Sequence, residues 1–199
     1  MIQFKDSQEI LNGTNLVEYF LELVKIDSQS CDESETSPSS PGQLEALEVV
    51  ADRLKKLGLS DAGIDENGYL FATLESNCNS RRCIGLLAHI DTATDFSGHD
   101  VKPVLHSNFD GKDIRLNDEV SITVESTPEL ALCKGDTVIT ADGTTLLGAD
   151  DKAGVAEILA ALEYMQKHPE IRRPRIRVGI TPDEEIGRGA SKFDIARFN

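Results

Sequence analysis

The stretch LLGADDKAGVAEILAALEYMQKH, residues 146–168, decides how this chain is read. An apolar run closes on Gly148-Ala149, and two adjacent carboxylates follow, Asp150 and Asp151. From there the apolar residues return at helical spacing until Pro169 stops them. A strand running into an amphipathic helix is a building unit of an α/β domain. The acidic pair at the junction is one carboxylate more than a helix start requires.

Working outward, the same alternation recurs. TNLVEYFLELVKI (14–26) carries Leu16, Val17, Phe20, Leu21, Leu23, Val24 and Ile26 near helical period, and Asn15 with Glu18 reads as a capping box. A polar Ser/Pro-rich loop (27–42) leads into a second helix start, with Ser40 as N-cap, Pro41 at the first position and Gln43 at the third. That helix is expected to run to about Lys56, with Gly58 as the stop and an apolar face of Leu44, Leu47, Val50, Leu54 and Leu57. GYLFATLES (68–76) reads as a strand after a turn. CIGLLAHI (83–90) is so continuously apolar that it predicts a strand buried on both faces. Residues 95–135 look irregular and polar. DTVITADGTTLLGA (136–149) predicts two strands about Asp142-Gly143, and RIRVGITPDEE (175–185) a strand running into an acidic turn. The expected fold is α/β, a mixed, mostly parallel sheet flanked by helices.

Composition narrows the function. With a net charge of -15, the chain repels phosphate backbones and anionic lipid, which argues against nucleic-acid and membrane partners. No run of about 18 apolar residues is present. The N-terminal residues carry charges at Lys5, Asp6 and Glu9 and show no secretory leader. The four cysteines form no C-x-x-C pair and read as reduced thiols of a cytoplasmic protein.

Three segments carry chemistry: HID (89–91), GADD (148–151) and PDEE (182–185), each placed at the carboxyl end of an expected strand. Ligands of open α/β sheets bind there, so the three can converge. Imidazole and carboxylates suit zinc and related divalent ions. Alone, each has a plainer reading. His89 could be a core histidine, Asp150-Asp151 a cap with a first-turn charge, and the acidic run a solvated loop. Burying or crowding carboxylates costs several kcal/mol unless a cation compensates, which favours the joint reading.

HIDTATDFSGHDVKP, TLLGADDKAGVAEI and TPDEEIGRGASKFD resemble the tripeptide aminopeptidases of the peptidase T family, a branch of the co-catalytic zinc exopeptidases. The resemblance runs from about residue 12 to the end. It implies that His89 ligates one metal, Asp91 orients that imidazole, Asp150 bridges two zinc ions and Glu185 ligates the second. It implies Glu184 as general base, with Asp151 beside the bridge and not a ligand, and a cis Asp150–Asp151 peptide. The expected activity is removal of the N-terminal residue of a tripeptide by metal-activated water, with homo-oligomer formation possible. Two further family ligands, an acidic residue downstream of DEE and a late histidine, have no counterpart here. Residues 1–199 are therefore expected to form the N-terminal part of the catalytic domain, without its C-terminal part and without a lid or dimerisation domain. Such a chain is expected to be inactive by itself. Related carboxypeptidases, dipeptidases, desuccinylases and N-acyl amino acid hydrolases, or a non-catalytic remnant that binds a partner, stay open. His99, His106 and His168 are read as lying outside the site.

Overall fold

A computed structural model describes residues 4–198; the reading of the N-terminal residues reaches into 1–3, outside that range. Helices α1 (Ser7–Gly13), α2 (Leu16–Leu23) and α3 (Pro41–Lys56) come first. They are followed by β1 (Gly63–Ile64), β2 (Leu70–Leu74), β3 (Cys83–His89), β4 (Val104–His106), β5 (Ile114–Arg115) and β6 (Ser121–Ile122). After a 3₁₀ turn at Pro128–Cys133 come β7 (Val138–Thr140), α4 (Ala149–Lys167), β8 (Arg175–Thr181) and α5 (Ile195–Phe198).

The α/β class is as expected, with a four-stranded sheet in the order β1-β2-β8-β3. The sheet is mixed. Its β3–β8 pairing is parallel, whereas β1–β2 and β2–β8 are antiparallel, so parallel pairing is not the majority among these strands. β3 is also not buried on both faces: Ile84 is 46% exposed and Leu87 is 56% exposed. The physical reason is its place in the order, since β8 pairs with one side of it and no described strand pairs with the other.

The expected 14–26 helix is the shorter α2, preceded by the separate α1. No capping box forms. Asn15 instead donates to both carboxylate oxygens of Glu163 on α4, at 2.9 and 3.0 Å. Glu163 is buried and needs donors, which Tyr19 (3.0 Å) and Lys167 (2.8 Å) also supply. In α3, Pro41 opens the helix and Leu47, Val50 and Leu54 face the core, but Leu44 is 40% exposed. Residues 95–135 are more ordered than read: β4 pairs with β7, β5 with β6, and Phe109, Ile114 and Leu130 make a small second core. Only the first of the two strands expected in 136–149 forms, as β7, and it pairs with β4 across the chain.

The main core joins α2, α3 and α4 to the sheet, with Leu54, Leu159, Leu162 and Val178 sealed from solvent. Leu162→Ala is expected to cost about 2–5 kcal/mol, because the space left behind cannot collapse fully. Urea denaturation measures it, and a loss well under 1 kcal/mol would mean that α4 is not anchored as described.

Candidate metal centre

β3 and β8 are adjacent and parallel, with His89 paired to Thr181. Whatever follows either strand therefore emerges at the same edge of the sheet. His89 closes β3, and the chain after β8 turns through Pro182-Asp183 to present Glu184 and Glu185. Asp150 arrives differently from the reading. No strand precedes it; a loop does, held by a Leu146 N–H to Ser97 carbonyl bond of 2.9 Å. Gly148 turns that loop with φ +73°, where a Cβ would also press on Thr92 at 3.0 Å. The Asp150–Asp151 peptide is cis. Asp151 Oδ1 accepts from the Gly154 N–H at 3.0 Å, so it caps the helix that follows.

These turns bring the five expected residues together. His89 Nε2 lies 3.0 Å from Asp150 Oδ1 and 3.8 Å from Glu184 Oε2. One ligand atom each from His89, Asp150 and Glu185 fall within 4.8 Å of one another. On the other side of the ring, His89 Nδ1 lies 3.3 Å from Asp91 Oδ1. Asp91 is fully buried and accepts from Ser30 Oγ (2.6 Å), the Glu184 N–H (3.0 Å) and the Glu185 N–H (2.9 Å). A single buried carboxylate thus fixes both the imidazole and the acidic turn.

The electrostatics follow. Burial depresses the His89 imidazole, but Asp91 and then Asp150 outweigh it and push it up to about 9. Burial opposes ionisation of Asp91, yet its bonds from His89, Ser30 and the two turn amides hold its carboxyl low. Glu185 is pushed up by burial; His89 pulls it down, and Asp150, Asp91 and Glu184 push it up again. Of the two costs weighed from sequence, burial and crowding, burial falls on Asp91 and not on Asp150 or Glu184, whose side chains are 85% and 57% exposed. Crowding of like charge, rather than burial, is what a cation would relieve. A hard or borderline divalent ion fits this nitrogen-and-oxygen donor set. Beside the cluster, a cleft of about 500 Å³ is lined by Leu87, Ala88, His89, Thr181, Glu184 and Phe193.

Lys152 is a buried cation that sequence reasoning passed over. It is 2% exposed and donates to the Ile26 carbonyl at 2.7 Å. Burial depresses it to about 8, against the pull of Asp27 and Asp91. His99 and His106 lie outside the cluster, at Asp27 and Thr140, and so does His168, at Glu170.

Two shifts of opposite sign shape the pH response of the metal-free chain. His89 is raised from 6.5 to about 9, so its stabilisation is complete below pH 6.5 and is lost as pH rises toward 9. Lys152 falls from 10.5 to about 8, so it adds stability as pH climbs above 8. With a chelator present, the urea midpoint is expected to fall from pH 6.5 to 8 and then level off. A midpoint that rises from pH 6.5 to 8 would contradict the His89 environment described.

No family model matches the chain. It is 54% identical over 187 residues to a protein named Peptidase T from Bacillus subtilis, covering 92% of this chain and 46% of that protein. The chain spans about half the length of the curated relatives it matches. Among solved structures, it superposes on aminopeptidase PepT from Bacillus cereus with a TM-score of 0.64 and 28% identity, covering 92% of this chain and 40% of that one. A tripeptidase from Staphylococcus aureus gives a TM-score of 0.62 and 29% identity, with 93% and 40% covered.

Proposed function

Because the chain is homologous to the peptidase T aminopeptidases over about half of their length, we propose that it carries the metal-binding and proton-handling part of a tripeptide aminopeptidase site. In this reading His89, Asp150 and Glu185 are the metal ligands, and residues 1–199 belong to the catalytic domain. The observation that carries it is the convergence of those three ligand atoms within 4.8 Å. Two zinc ions bound there would polarise the scissile carbonyl and make water acidic enough to deprotonate near neutral pH.

The chain's own residues do the rest. Asp91 accepts a hydrogen bond from the His89 Nδ1–H and so leaves Nε2 free to ligate. Glu184 lines the cleft beside the cluster and takes the proton of the attacking water, then returns it to the leaving amine. The cleft, walled by Leu87 and Phe193, holds the short peptide. Three donors among the described residues, shared between two ions, fall short of the three protein ligands that each catalytic zinc takes, which supports inactivity of this chain alone. The four free cysteines support a reducing, cytoplasmic setting, and no helix among the described residues is long and apolar enough to cross a membrane. The outer side of β3, which no described strand pairs, with Ile84 and Leu87 exposed, supports self-association.

Tripeptide hydrolysis with added zinc, run beside a zinc titration, tests this. Zinc binding with negligible turnover is expected. Robust turnover by this chain would overturn its inactivity, and no zinc binding would overturn the ligand assignment.

A further inference from the structure

Gln43 was read from sequence as part of a helix start, yet its side chain makes no cap. It is fully buried and turned toward the acidic loop. The Asp183 N–H donates to Gln43 Oε1 at 3.1 Å, and Gln43 Nε2 donates back to Asp183 Oδ1 at 2.7 Å. The Ser39 N–H reaches both oxygens of the same carboxylate, at 3.0 Å each. Asp183 is 2% exposed and sits at φ +55°, an uncommon backbone for a non-glycine residue. The next two amides, Glu184 and Glu185, donate to Asp91. The 183–185 turn is therefore gripped from two sides, by Gln43 and Ser39 at the start of α3 and by Asp91 after β3.

We propose that Gln43 is a positioning residue: its carboxamide, locked to Asp183, holds the turn that aims Glu184 and Glu185 at the candidate metal centre. An amide is the side chain that can both accept from the turn's N–H and donate to its carboxylate. Leaving that carboxylate short of a donor in a buried setting is costly, so the turn must shift when the amide is lost. The purpose assigned to Gln43 rests on the metallopeptidase reading above, whereas the grip itself does not.

Amide hydrogen exchange on the full chain, followed by NMR, separates the two. In Gln43→Met, exchange at Asp183, Glu184 and Glu185 is expected to rise about tenfold or more while the β8 amides of Val178 and Ile180 hold, the mark of local rather than global opening. Zinc affinity is expected to fall about 10–100-fold, as for other partners that orient ligands. Gln43→Asn keeps the amide but is one methylene too short, and should behave alike; it also serves if Gln43→Met does not fold. Unchanged exchange in the turn would overturn the proposal, as would an equal rise at all amides. Faster exchange with wild-type zinc affinity would overturn the role toward the metal. A wild-type chain that binds no zinc would defeat the functional reading, and the exchange pattern would still decide the role of Gln43.

Discussion

Asp150→Ala is expected to lower zinc affinity by well over 100-fold, beyond the 10–100-fold typical when only an orienting partner is removed. The same change should leave the fold intact. The Asp150 side chain is 85% exposed, so its loss opens no cavity. The helix keeps its cap, because Asp151 and not Asp150 accepts from the Gly154 N–H. Removing Asp150 also takes away one of the charges that push Glu185 up, so the metal-free variant should not be less stable on that account. Calorimetry with zinc, beside circular dichroism, checks both halves. Unaltered zinc affinity would remove Asp150 from the ligand set, and loss of helix signal would mean that it is structural.

Glu184→Gln is expected to do the opposite: to spare zinc binding and remove catalysis. The amide has nearly the same shape but cannot accept a proton, and general-base groups typically contribute about 10²–10⁴-fold. Glu184 Oε2 is 3.8 Å from His89 Nε2, and its residue lines the cleft, where it can reach a water beside the cluster. Turnover has to be read in a chain completed with the remaining portion of a Peptidase T relative, since this one spans about half of that length. A completed variant with wild-type turnover would take the base role from Glu184. A variant that lost zinc instead would make it a ligand.

How much could be read from the sequence depended on the length of each element and on what lay beside it. α4 and β8 were legible because a long periodic or apolar run leaves few alternatives. β3 was found within one residue, but an apolar run does not say whether a strand sits inside a sheet or at its side, and Leu87 turned out to be exposed. β4 to β6 are two or three residues long, too short to carry any period, so their region passed for irregular loop. The acidic and histidine motifs marked the candidate site because unlike segments end at one edge of a parallel pair, a consequence of the β3–β8 register. Gln43 and Lys152 were missed for a common reason. Each sits in a helix start where polar residues are ordinary, and only the packing of α3 and α4 reveals that the side chain points inward. Asp183 looked like one more solvated acid and is a buried strut.

The central claim is that His89, Asp150 and Glu185 form one metal centre, with Asp150 shared between the ion on His89 and the ion on Glu185. The most direct test is anomalous diffraction at the zinc edge from crystals of this chain grown with zinc. The expected result is zinc within coordination distance of His89 Nε2 and of a Glu185 carboxylate oxygen, with an Asp150 carboxylate oxygen beside each ion. A fully zinc-loaded crystal with its peaks elsewhere, or with His89 Nε2 free of metal, would contradict it.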